Sequence, residues 1–235
     1  MKLSNVLITG ASRGLGRALA QELGQRGARL VLCAREREPL EAVVRDLREQ
    51  GIEAHAVTAD IADKRAIHPL AAEAAALVGP IDVLVNNASS LGPTPLRSLL
   101  DTECEDLERV LQANLVGPFR LTKVVAGSMA LRGGGLCVNI SSDAAVEAYP
   151  TWGAYGVSKA ALDHLTRIFA AELGDFGLRF IAIDPGEMNT VMHRDAIPDA
   201  DPATLADPSD VAKRIVSLLD HARSGSRLVA SGAAA

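Results

Sequence analysis

The segment Thr9-Gly10-Ala11-Ser12-Arg13-Gly14-Leu15-Gly16 lies between two different patterns. Before it runs Leu3 to Thr9, short and continuously apolar, which reads as a buried strand. After it runs Gly14 to Arg26, where Leu15, Leu19 and Leu23 recur every fourth residue, which reads as a helix. Glycines between a strand and a helix permit a tight turn and a close backbone approach. The helix that follows aims its free N–H groups and the positive end of its dipole at that turn. Such a place holds an anion, a pyrophosphate above all. The spacing is Gly-xxx-Gly-x-Gly rather than GxGxxG, so the flanking strand and helix carry the reading.

Outward from this loop, strands and helices alternate. Leu30 to Cys33 reads as a strand, and Glu36 to Gln50 as a helix with Leu40, Val43, Val44 and Leu47 on one face, stopped by Gly51. Glu53 to Thr58 is a strand, Asp63 to Val78 a helix and Ile81 to Val85 a strand. One long helix is expected over Cys104 to Leu131, ended by Gly133-Gly134-Gly135. Leu136 to Ile140 (strand), Thr151 to Leu173 (helix), Leu178 to Ile183 (strand), Asp210 to His221 (helix) and Arg227 to Ala230 (short strand) complete the series. The strands are continuous apolar runs, so both sheet faces are covered. The expected fold is α/β, a doubly wound parallel sheet of the Rossmann type. No Pro/Ser/Gly linker divides the chain, so residues 1–235 read as a single domain. Residues 187–208, with their Pro- and Asp-rich end, read as a substrate loop or lid within it, and Ser231 to Ala235 as a frayed end.

Composition narrows the function. The 235 residues carry a net charge of −5, with 48 % hydrophobic, 23 % charged and only 3 % aromatic residues. That is a globular balance. It argues against nucleic-acid binding, which favours a basic face and stacking aromatics. Cys33, Cys104 and Cys137 are scattered, with no CxxC or Cys/His cluster, so neither a disulfide framework nor any metal site is expected. The start, Met1 to Val6, lacks the apolar core of a signal peptide, and no run approaches the ~20 apolar residues of a membrane span. A cytoplasmic location is expected.

The second strand speaks to the cofactor. A dinucleotide fold usually ends this strand on an acid that binds the ribose 2′-hydroxyl. Here the sequence is Cys33-Ala34-Arg35-Glu36-Arg37, with no acid at Ala34. Arg35, with Arg13 from the glycine loop, suits a 2′-phosphate through charge-assisted hydrogen bonds. A merely solvated helix start is less attractive, because positive charge there opposes the dipole. NADP(H) is expected over NAD(H).

The chain resembles the short-chain dehydrogenase/reductase (SDR) family. Thr9 to Gly16 matches its TGxxxGxG loop, Asp60-Ile61 the pair that flanks the adenine, and Asn86-Asn87-Ala88-Ser89 its NNAG element. Asn114 matches the catalytic asparagine, Asn139-Ile140-Ser141-Ser142 the strand bearing the catalytic serine, and Tyr155 to Lys159 the YxxxK element. Asp184-Pro185-Gly186 with Thr190 resembles the PG element and the threonine near the nicotinamide amide. Order and spacing match from about residue 5 to 190. The resemblance implies catalytic Asn114, Ser142, Tyr155 and Lys159, with Ser141 as the alternative serine. It also implies cofactor contacts at Gly10, Ser12, Arg13, Gly14, Leu15, Gly16, Arg35, Asp60, Ile61, Asn87, Ala88, Tyr155, Lys159, Pro185, Gly186 and Thr190. Ser89 departs from the family, standing where NNAG has glycine, and the end of the chain lacks the usual acidic-Gly-Gly.

The chemistry follows from the residue types. Tyr155 and Lys159 are four apart and share a helix face. A free tyrosine, with a pKa of about 10, is a poor base at neutral pH. A nearby ammonium is expected to lower that value, making Tyr155 a general acid in reduction and base in oxidation. Ser142 would bond the substrate oxygen. Pro118 lacks an N–H, so the carbonyl of Asn114 loses its helical partner and a kink is expected there. In the family this main chain binds a water that touches the active lysine.

The expected activity is therefore NADP(H)-dependent interconversion of a carbonyl and an alcohol. Two alternatives use the same residues differently: a non-catalytic NADPH sensor, and an isomerase or dehydratase using Tyr155. The substrate loops are expected at residues 90–96, 143–152 and 187–208. Apolar residues on more than one face of the helices over 104–131 and 151–173 predict a homodimer or homotetramer.

Overall fold

Val6, Leu7 and Ile8 have no exposed surface, which requires cover on both faces of their strand. The computed structural model, which describes residues 4–230, supplies that cover. Seven strands, β1 (Asn5–Thr9), β2 (Arg29–Ala34), β3 (Ala54–Thr58), β4 (Val83–Asn86), β5 (Gly135–Ile140), β6 (Leu178–Asp184) and β7 (Arg227–Val229), form one sheet. Its order is β3-β2-β1-β4-β5-β6-β7, and all neighbours are parallel. One face is covered by α1 (Gly14–Gln25), α2 (Arg37–Glu49) and α8 (Pro208–Leu219), burying Leu19, Leu40, Leu47 and Ile215. The other is covered by α3 (Ile67–Val78), α5 (Gly117–Leu131) and α6 (Gly153–Leu173), burying Leu70, Leu121 and Phe169. This is the doubly wound α/β fold. Among the described residues, no helix is long and apolar enough to cross a membrane.

Three differences from the expected elements have local causes. The long helix is interrupted: α4 (Cys104–Leu111) passes through a π-helical turn, Gln112–Val116, into α5. There the Gly117 N–H reaches the Gln112 carbonyl, five residues back. Widening is how this helix absorbs the donor that Pro118 lacks, and Asn114 sits inside the widened turn. The third helix begins at Ile67 rather than Asp63, because the Asp60 and Asp63 side chains accept the N–H groups of Ala62 and Arg65 and form turns instead. The helix expected from Thr151 begins at Gly153, since Thr151 has a left-handed φ of 72°. Leu3 and Ser231 to Ala235 lie outside the described residues.

Candidate active site

β1 lies between β2 and β4, so the strand order reverses there and a crevice opens at the carboxyl ends. The residues just past β1 and β4 lock together across it. Asn87 Nδ2 donates to the carbonyls of Thr9 and Gly10 at 2.9 and 3.0 Å. Thr9 Oγ1 accepts from the N–H groups of Asn87 and Ala88, both at 3.1 Å. This leaves no room for a side chain at Gly10 or Gly16. Gly10 has φ +66°, and a Cβ there would stand 2.7 Å from Ala88 Cα. A Cβ on Gly16 would press into the Gly10 carbonyl. α1 starts at Gly14, after Arg13, with no side chain capping its first turn, so those N–H groups are free to meet a ligand in the crevice.

A cleft of about 580 Å³ runs from this loop across the sheet. Ser12, Arg13, Gly14, Leu15, Arg35, Asp60 and Ile61 line it together with Ser142, Tyr155, Lys159, Pro185, Gly186 and Thr190, and a Cβ on Gly14 would stand 3.4 Å from Thr190 Cγ2. Gly10, Asn87 and Ala88 line it too. Two of the residues singled out in the sequence do not line it. Gly16 packs behind the loop, and Asn114 is fully buried in the π turn.

Asn114 acts as a clamp. Its Nδ2 donates to the Ser90 carbonyl at 2.8 Å and to Ser158 Oγ at 2.9 Å, and its Oδ1 accepts the Ser90 N–H at 2.7 Å. Ser158 stands between Tyr155 and Lys159 on α6, so this one side chain ties the 90–96 loop to the helix bearing both.

Ser142 ends the extended chain after β5. Its hydroxyl donates to Asp143 Oδ1 at 2.8 Å and accepts from the Ala144 N–H at 3.2 Å. Asp143 Oδ2 accepts from the Tyr149 hydroxyl at 3.0 Å. Tyr155 is buried, edge-on to Trp152 with ring centroids 5.7 Å apart. Lys159 Nζ donates to the Ile140 carbonyl at 2.7 Å and stands 5.5 Å from the Tyr155 ring centroid.

This arrangement corrects the expectation for Tyr155. Burial pushes its phenol up to about 12; hydroxyls of Ser142 and Ser89 pull the other way, while the charges of Asp143 and Asp184 add to the rise. Burial dominates Lys159 too, bringing its ammonium down to about 8 against the pull of Asp163. The low dielectric that surrounds both side chains disfavours the charged form of each.

The cofactor end holds a surprise of its own. Arg13 Nη2 pairs with Glu36 Oε1 at 2.9 Å, both side chains more than half exposed. Arg35 is exposed and Ala34 is buried.

A family model for short chain dehydrogenases matches residues 4–201. The chain belongs to the short-chain dehydrogenase/reductase family. The 2,3-dihydro-2,3-dihydroxybenzoate dehydrogenase of Bacillus subtilis (strain 168) is 33 % identical over 230 residues, covering 90 % of this chain and 87 % of that protein. A variant of actinorhodin polyketide ketoreductase solved with NADPH superposes with a TM-score of 0.87 at 31 % identity, over 96 % of this chain and 95 % of that one. A 7 alpha-hydroxysteroid dehydrogenase solved with NADH and 7-oxo glycochenodeoxycholic acid superposes with a TM-score of 0.89 at 29 % identity, over 98 % and 94 %. An SDR chain of this kind is an oxidoreductase that binds a nicotinamide cofactor.

Within this SDR chain, the residue that sequence reasoning missed is Arg227 on β7. Its Nε donates to Asp163 Oδ2 at 3.0 Å, and its Nη2 to Asp184 Oδ2 at 3.0 Å and to the Ser142 carbonyl at 2.8 Å. It thus holds the backbone of Ser142 and the counter-charge one helical turn from Lys159. An arginine inside the final short strand was the only signal in the sequence.

Proposed function

We propose that this chain reduces a ketone or aldehyde to an alcohol, and reverses that step, using NADP(H). The observation that carries the reading is the meeting of Ser142, Tyr155 and Lys159 in the cleft that the glycine loop also lines. The N–H groups at the start of α1 fit a pyrophosphate. Asp60 and Ile61 would flank the adenine, Asn87 and Ala88 the middle of the cofactor, and Pro185, Gly186 and Thr190 the nicotinamide amide. A bound nicotinamide supplies or accepts the hydride.

The preference for NADP(H) rests on this chain's own residues. One structural relative was solved with NADPH and another with NADH. Arg35 is unhindered and no acid occupies Ala34. Arg13 would exchange Glu36 for a 2′-phosphate, a doubly charged and bidentate partner.

The protein's part is protonic. Tyr155 holds its proton at neutral pH, so it is placed to give that proton to the oxygen of a carbonyl being reduced. Ser142 turns its hydroxyl from Asp143 toward the same oxygen. Lys159 is mostly charged at neutral pH and stabilises the phenolate left behind. Asn114 keeps the helix and the 90–96 loop in register.

The segment 187–208 would close over substrate as a lid; α7 (Val191–Ala196), capped by Thr190, lines the cleft with Met188 and Met192. The test is NADPH consumption, read by nicotinamide absorbance, across a panel of ketones and aldehydes. Tyr155→Phe should cut turnover about 10²–10⁴-fold and still bind NADPH. Tight NADPH binding without turnover on any member of the panel would instead establish a sensor.

A further inference from the structure

Asp143 follows Ser142 directly and lines the same cleft. Three donors hold its carboxylate in place. Oδ1 accepts from the Ser142 hydroxyl and from the Ala144 N–H, both at 2.8 Å, and Oδ2 accepts from the Tyr149 hydroxyl at 3.0 Å. All three donors are neutral. Among the described residues no lysine or arginine pairs with this carboxylate. Its charge is therefore fixed in position and left for the contents of the cleft to meet.

The bond to Ser142 sets a condition on those contents. A serine hydroxyl has one proton and a carboxylate only accepts, so that proton lies toward Asp143. A carbonyl oxygen held by Ser142 needs the same proton. When the serine turns to it, Oδ1 keeps the Ala144 N–H and loses its hydroxyl donor. In a cleft filled by substrate, an acceptor left short of a donor is costly. The substrate itself can replace the donor, because Oδ1 stands only 2.8 Å from the serine oxygen that the carbonyl meets. A hydroxyl on the carbon next to the carbonyl spans that gap. An alkyl group there offers no proton, and a carboxylate sets acceptor against acceptor and like charge against like. Glu187 and Asp195 line the cleft as well, while Lys159 donates to the Ile140 carbonyl and Arg13 to Glu36.

We propose that Asp143 is a specificity-determining residue that selects α-hydroxy ketones and aldehydes and excludes α-keto acids. The inference rests on the proposed meeting of the substrate oxygen with Ser142. The α-hydroxyl donates to Oδ1 in the place that the serine proton leaves. Tyr149 and the Ala144 N–H hold the carboxylate still, and Asp143 neither gains nor loses a proton.

The test compares α-hydroxyacetophenone, propiophenone and phenylglyoxylate, which carry a hydroxymethyl, an ethyl or a carboxylate group beside the same aryl carbonyl. The aryl group suits the apolar lining of Leu91, Trp152, Met188 and Met192. Calorimetric titration into the complex with NADP+, which cannot reduce a ketone, reads binding alone. Wild type should bind the hydroxy ketone about tenfold more tightly than the ethyl ketone, the worth of a charge-assisted hydrogen bond, and the keto acid more weakly than either. Asp143→Asn can keep all three local bonds: its oxygen accepts from Ser142 and Ala144, and its amide donates to the Tyr149 hydroxyl. It should therefore leave the ethyl ketone nearly unchanged and narrow the gap between hydroxy ketone and keto acid about tenfold or more. Asp143→Ala, which removes the acceptor too, should bind hydroxy and ethyl ketones alike. A purely structural role for the turn would move all three ligands together. Equal binding of the three by wild type, no binding of any, or an unchanged gap in Asp143→Asn overturns the proposal. NADPH consumption tests the carbonyl-reductase reading separately, so either can fail while the other stands.

Discussion

Replacing Arg227 by alanine should destabilise this chain markedly. The Arg227 side chain is 22 % exposed, and the two carboxylates it bridges are each 7 % exposed. Removal leaves both without their cation and leaves the Ser142 carbonyl without its donor. Breaking a buried ion pair from one side costs about 3–5 kcal/mol, because the surviving charge stays in low dielectric. The three bonds share one guanidinium, so their separate worths do not add. At about 2 °C per kcal/mol for a chain of this size, the melting temperature should fall by about 6–10 °C.

The loss should depend on pH with a definite sign. Burial already raises the pKa of Asp163, opposed by Ser141, Arg227 and Lys159. Without Arg227 it rises further above its unfolded value. A carboxyl raised in this way favours the folded state fully below its unfolded pKa, and that contribution fades as pH rises through the folded value. The variant should therefore lie closer to wild type in mild acid than at alkaline pH. Asp163→Asn added to Arg227→Ala should recover part of the loss. Calorimetry across pH, with Arg227→Lys as the charge-conserving control, measures all of this. An Arg227→Ala protein within about 1 kcal/mol of wild type at neutral pH would refute the buried-charge argument.

Other outcomes follow from the same geometry. Arg35→Ala should weaken NADPH binding roughly tenfold and leave NADH binding nearly unchanged; equal losses, measured by fluorescence titration, would remove the 2′-phosphate contact. With the Tyr155 phenol up to about 12, reduction should be nearly flat through neutral pH, whereas alcohol oxidation, which needs the phenolate, should rise about tenfold per pH unit on the alkaline side. Burial lifts the thiols of Cys33 and Cys137 to about 12, and Cys104 is exposed, so a thiol reagent should modify one cysteine in native protein and the rest only after denaturation. Phe119 on α5 and Val157 and Ile168 on α6 remain exposed, so light scattering should give a multiple of the 24.6 kDa chain mass.

What could be read from the sequence was short-range. The strand–loop–helix around Gly10 to Gly16 is a matter of adjacent residues, so pattern alone located it; Tyr155 with Lys159 is one helical turn, and the resemblance to the family was needed to single it out. Pro118 announced a disturbed helix because its missing N–H is a property of the residue. Whether that helix kinks or widens depends on packing around Gly117, and no local pattern encodes it. Arg227 was invisible for a stronger reason. Its three partners come from α6, the end of β5 and the end of β6, brought together only by the order of strands at the sheet edge.

The Tyr155 expectation failed at a different link. Four-residue spacing says that two side chains share a face; it does not say whether the face meets water. In water the ammonium would lower the phenol, since the only difference it makes is charge. Under α6, against the sheet, charge on either group must first be desolvated, and that cost shifts both toward neutrality. The consequence is directional. Under the proposed function a neutral Tyr155 would begin reduction with its proton in place, and oxidation would begin only where the phenolate forms.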